Sequence, residues 1–137
     1  MIGTKMTPAQ ARLENPLALA FVGDTVFDLY VRTMVMKLGV NSHKLHQISI
    51  KHVSASAQAT AFLRIEPLLS EDEMYIYRRG RNTKPTTVPK NACVKDYRSA
   101  TGLETLVGYL YVTEQSDRLD ELMGILLGSA EQADAPQ

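Results

Sequence analysis

The stretch NPLALAFVGDTVFDLYVR, residues 15–32, constrains the fold more than any other part of the chain. Asn15 can cap a helix, Pro16 suits its first position, and residues 17–22 run without a polar break. A surface helix carries one apolar stripe, whereas a helix apolar nearly all round belongs at the centre of a core or in a contact between subunits. At 137 residues the chain can build one domain with a proper core, but it has few other helices to surround such a segment. A homodimer is therefore expected from this helix alone.

The remaining signals are also helical. The first strong helix should cover residues 16–38, with Gly39 at its C-cap. Ser42 can cap a second, which carries KLHQISIKHVSASAQATAFLRI and must end before Pro67. Ser70 and Glu73 have capping-box spacing, and the short helix through MYIYRR should stop at Gly80. Residues 80–95 contain two prolines and no periodicity, which predicts a loop. Further helices are expected at 98–112 and 117–127, the latter ended by Gly128. The one strand-like run, VGYLYV, suits a buried helix equally well. The fold class is all-α: an N-terminal segment (1–14), one helical domain (15–128) and a polar tail (129–137).

Formal charge is zero, so overall charge names no partner, but its distribution does. Across residues 78–98, Arg78, Arg79, Arg81, Lys84, Lys90, Lys95 and Arg98 face Asp96 alone, while the C-terminal part from Glu114 is acidic apart from Arg118. Such segregation points to an anionic partner. The basic segment also holds Asn82, Thr83, Thr86, Thr87 and Asn91, which can bond phosphate oxygens. No aromatic residue lies between Tyr77 and Tyr97, which favours a duplex backbone over stacked single-stranded bases. The single cysteine, Cys93, excludes a disulfide framework, and no stretch has a signal-peptide layout or the length to span a bilayer. A cytoplasmic protein is expected.

Two acids interrupt apolar helices. Asp24 follows the apolar turn, and Asp28 and Arg32 continue its stripe at four-residue spacing. Asp28 and Arg32 read as an ordinary surface pair. Asp24, among apolar neighbours and with a like charge one turn away, reads as a metal ligand or one member of a proton-sharing pair. Glu104 lies within YRSATGLETLVGYLY, where Thr101 and Glu104 also have capping-box spacing, so capping and function stand as alternatives. Two carboxylates converging from different helices would suit Mg²⁺. His43 and His46 lack the ligands for zinc, no glycine-rich phosphate loop is present, and Ser54 and Ser56 have no paired base.

Taken together, these segments resemble a known family. LALAFVGDTVFDLYVR resembles the signature helix of ribonuclease III enzymes, an apolar turn followed by Gly-Asp and a further apolar turn. SATGLETLVGYLY resembles their second acidic helix. With VSASAQA and RNTKPTTVPKN, the chain is most similar to the Mini-ribonuclease III family, the short bacterial form, over residues 15–127, and it stops where a double-stranded-RNA-binding domain would otherwise follow.

The resemblance implies an all-helical, homodimeric endonuclease that cuts both strands of an RNA duplex with Mg²⁺ and trims the ends of 23S ribosomal RNA precursor. A large-subunit ribosomal protein is a candidate further partner. Asp24 matches the family's catalytic aspartate and Glu104 its metal-binding glutamate. Gly23 would let a neighbouring backbone or a partner helix approach closely. Arg78, Arg79, Arg81, Lys84, Lys90 and Arg98 would contact the duplex. Full-length ribonuclease III has a glutamate where this chain has Ala20, an aspartate at Thr101, and a further glutamate that aligns with Lys44. These departures leave fewer carboxylates for metal. A non-catalytic duplex-binding module of the same fold is the alternative, and a helical scaffold would leave the basic segment without a role.

Overall fold

The computed structural model describes residues 5–84, 87, 88 and 90–134, and the regular elements among them are all helical. They are α1 (Pro8–Leu13), α2 (Pro16–Met36), α3 (Ser42–Val53), α4 (Ala55–Ile65), α5 (Glu71–Asn82), α6 (Val94–Val112) and α7 (Ser116–Asp134), with a 3-10 turn at Glu66–Leu68. Among the described residues no helix is long and apolar enough to cross a membrane.

The bundle centres on α2 and α6, which make the most extensive contact among the described residues. Phe27 and Val31 of α2 and Leu103, Leu106 and Leu110 of α6 are almost fully buried. On α4 and α5, Phe62 and Tyr77 stack with ring centroids 3.9 Å apart, sealing one flank. On α7, Leu122, Met123 and Leu126 close the other. A buried ion pair ties α5 to α7. Glu73 completes the Ser70 capping box at 2.8 Å and takes a bidentate grip from Arg118, Nε and the second guanidinium nitrogen each donating at 2.8 Å. Those charged bonds outweigh its burial and hold the Glu73 carboxyl below its ordinary value.

The helices differ from the sequence reading in five places. The helix expected after Ser42 is two helices, because Ser54 turns extended and its hydroxyl accepts the Ala57 N–H at 3.2 Å, a cap that competes with continued helix. Residues 8–13 form α1, which has its own Thr7–Gln10 capping box, buries Ala11 completely and follows a Met6 N–H bond to the Val112 carbonyl at 2.8 Å. Gly80 does not stop α5. It sits against α6, where a Cβ would come within 2.2 Å of Thr105 Oγ1. Likewise α6 begins at Val94 rather than 98, and α7 continues past Gly128 to Asp134. Pro85, Thr86 and Pro89 of the expected loop lie outside the described residues.

Candidate active site

Asp24 and Glu104 meet because two glycines let their helices touch backbone to backbone. A Cβ on Gly23 would lie 1.7 Å from the Glu104 carbonyl oxygen, and one on Gly108 would lie 1.9 Å from that of Leu19. The neighbour that Gly23 admits is thus α6 of the same chain. At this crossing the residue after Gly23 and the residue one turn before Gly108 share a corner, and their carboxyl groups hydrogen-bond. Sequence reasoning singled out Gly23 but passed over Gly108, whose spacing of four from Glu104 is the signal that it missed.

The environments of the two acids differ. Asp24 is exposed: its neighbours in sequence are apolar, but its own side of α2 faces outward. Glu104 is half-buried, and desolvation first, then the bond to Asp24 and its negative charge, push the Glu104 carboxyl up to about 9. Glu104 therefore carries the proton that the pair shares. The capping alternative for Glu104 is excluded: α6 starts at Val94, so Thr101 is mid-helix, and its hydroxyl donates to the Tyr97 carbonyl at 3.0 Å.

Two carboxyl groups brought together in this way offer a donor set suited to a cation. Both are hard oxygen ligands, and Mg²⁺ commonly takes one or two protein carboxylates while retaining waters and binding substrate phosphate. Among the described residues no group of three or more His, Cys, Asp or Glu side chains could hold a metal, so Asp24 and Glu104 are the ligands the site offers. Ala20, one turn before Asp24, is buried and adds none. Asp28 is engaged by Arg32 Nε at 2.9 Å, the surface pair the spacing suggested.

The basic residues divide. Arg78, Lys84 and Lys90 are exposed. Arg81 lies over the Tyr77 ring, 5.7 Å from its centroid, and Arg98 is half-buried with its Nε lacking a partner among the described residues. Arg79 is different: it donates to the Arg12 carbonyl and, at 3.0 Å, to that of Glu14. Its guanidinium clamps the turn between α1 and α2.

Residues 17–115 match the Ribonuclease III domain family, and this is a ribonuclease III-type endoribonuclease domain. A Mini-ribonuclease 3 from Clostridium tetani is 38% identical over 96% of this chain and 89% of its own length. The Enterococcus faecalis protein of the same name is 47% identical over 80% of this chain and 85% of its own. The chain belongs to the Mini-ribonuclease 3 family. A crystal structure of a Fusobacterium nucleatum protein superposes with a TM-score of 0.79 at 28% identity, covering 87% of this chain and 96% of that one. The non-catalytic alternative gives way to an RNA-processing enzyme.

Proposed function

We propose that the protein cleaves both strands of duplex RNA in a Mg²⁺-dependent reaction at Asp24 and Glu104, and that it matures the ends of 23S ribosomal RNA precursor in the cytoplasm. The juxtaposition of these two carboxyls at the Gly23–Gly108 crossing is the observation that carries the reading. The likeness to Mini-ribonuclease 3 proteins supports the ribosomal substrate. Bound Mg²⁺ would supply Lewis-acid activation of water and stabilisation of the leaving 3′-oxygen. Asp24 and Glu104 would hold the ion as carboxylates, Glu104 giving up the proton that its site otherwise keeps on it. Asp24, at the exposed edge, is the ligand that a substrate phosphate would approach. Arg78, Arg81, Lys84, Lys90 and Arg98 supply cations for the duplex backbone, and Arg79 supports the scaffold.

Two copies would join through the outward stripe of α2. Leu17, Phe21 and Leu29 are exposed, Phe21 to 82%, and Leu13 at the end of α1 extends the patch. An isologous contact there would set two Asp24–Glu104 pairs on either side of one duplex. The deciding experiment incubates long double-stranded RNA with the protein in Mg²⁺ and in EDTA, following binding and cleavage together. Cleavage in Mg²⁺ alone, abolished by Glu104→Gln without loss of binding, is expected. Cleavage by Glu104→Gln at the wild-type rate would overturn the assignment.

A further inference from the structure

The chain from residue 29 to residue 65 contains no Asp or Glu, yet carries Arg32, Lys37, Lys44, Lys51, Arg64 and all three histidines. This stretch builds the end of α2 and the whole of α3 and α4. Arg32 is neutralised by Asp28, but none of the ion pairs among the described residues engages Lys37, Lys44, Lys51 or Arg64. In α1 and α7 the cations meet acids, as Arg12 meets Asp72 and Arg118 meets Glu73. In a chain of zero formal charge, an acid-free face is segregation rather than composition.

Helix α3 presents this charge outward. It buries Ile48 and Ser49, while Lys44, Gln47 and Lys51 are exposed at the spacing of a single helix face. From Lys51 a hollow runs along α4, lined by Ser54, Ser56, Thr60 and Arg64. Thr60 also lines the next hollow, where Arg81, Lys95 and Ser99 stand with Glu66 and Asp96. The two hollows therefore connect the α3 face to the basic segment after α5.

We propose that this α3–α4 face is a second phosphate-contact surface for duplex RNA. Lys44 and Lys51 are its principal cations, and the hydroxyls of Ser54, Ser56 and Thr60 are partners for phosphate and ribose oxygens. The proposal rests on the duplex reading above and extends it to residues outside the basic segment. Cations interleaved with hydroxyls suit an A-form duplex, which is recognised through backbone, 2′-hydroxyls and shape. Protein-binding surfaces instead concentrate energy in aromatic or large apolar anchors. The one aromatic of α3 and α4, Phe62, is buried, and the exposed Ile50 and Leu63 lie on different helices.

The test compares wild type with Lys44→Ala/Lys51→Ala for binding to a long RNA duplex in EDTA across a salt series. Each lost phosphate contact removes about 0.9 from the log–log salt slope, so the double variant should flatten it by about two units. Its affinity at low salt should fall at least tenfold, with an unchanged melting temperature because both lysines are solvent-exposed. A wild-type protein that binds no duplex overturns both this surface and the duplex reading. Full wild-type binding with the same slope in the double variant overturns this surface alone. So does retained duplex binding with lost affinity for a polyglutamate probe, which would reassign the face to an acidic protein partner.

Discussion

At the scale of single residues, the Glu104 carboxyl beside Asp24 ties stability to pH. Folded Glu104 keeps its proton up to about pH 9, whereas in an unfolded chain it releases it near 4.5. Between those values the folded state binds more protons, so Glu104's contribution to stability is complete below pH 4.5 and is lost as pH rises toward 9. In EDTA, the melting temperature of wild type should fall more steeply from pH 5 to pH 9 than that of Glu104→Gln. Equal slopes in thermal melts would show that folding does not hold the proton on Glu104. Asp24→Asn removes a charge that helps keep Glu104 protonated; it should abolish cleavage and make the fall in melting temperature from pH 5 to pH 9 shallower than in wild type. The arginines separate in the same way. Arg79→Ala breaks two charged bonds to backbone carbonyls and should cost about 1–3 kcal/mol, read as a lower urea midpoint. Arg78→Ala, on the exposed surface, should leave that midpoint in place and flatten the salt dependence of duplex binding instead. The sequence could nominate Asp24 and Glu104 because acids interrupting apolar helices are visible locally. It could not show that Arg79 is spent on a clamp, since its acceptors lie more than sixty residues earlier in the chain.

At the scale of elements, the α2–α6 crossing is the feature on which the site depends. Gly108→Ala would drive a Cβ into the Leu19 carbonyl, and backbone at that contact cannot yield without separating the helices. It should cost more than about 4 kcal/mol, at the exceptional end for a single substitution, and should separate Asp24 from Glu104. Gly124→Ala is the control: a Cβ there meets nothing within 4 Å, so the same replacement should stabilise the exposed part of α7 by about 0.5–1 kcal/mol. Calorimetry on both variants distinguishes a packing glycine from one that is merely tolerated. The all-α class and the placement of α2, α3 and α6 were legible because capping residues and apolar runs are local signals. Of the boundaries that differed, the one at Gly80 turns on tertiary contact. Gly80 looks like a helix stop until α6 is placed against it. Gly128 gives the same impression in a helix that continues to Asp134. The break at Ser54 was written in a hydroxyl that can cap, but the long amphipathic pattern around it masked the choice. The brief α1 was overlooked because six residues gain their order mainly from Ala11 and Met6 docking on the rest.

At the scale of the whole molecule, the apolar character of α2 divides in two. Its inner half, Val26, Phe27 and Val31 among others, is accounted for by the core, whereas Leu17, Phe21 and Leu29 remain outside it. Phe21 is 82% exposed and Leu13, at the end of α1, 84%. Large apolar side chains grouped in this way call for a covering surface, and a second copy offers the same stripe in return. Asp24 stands one turn beyond Phe21 on the same helix, so joining two stripes would bring two sites to a common groove. Phe21→Arg tests that arrangement without disturbing the core, because the replaced ring contributes little to it. Sedimentation at micromolar concentration should show a dimer for wild type and a monomer for the variant, with helical content unchanged by circular dichroism. On long duplex RNA in Mg²⁺, the variant should produce paired cuts at least tenfold more slowly. Residual activity should appear as single-strand nicks, since one copy carries one Asp24–Glu104 pair. A wild type that sediments as a monomer yet cuts both strands in concert would sink the shared-groove arrangement. Two cuts would then have to come from sequential binding of one site.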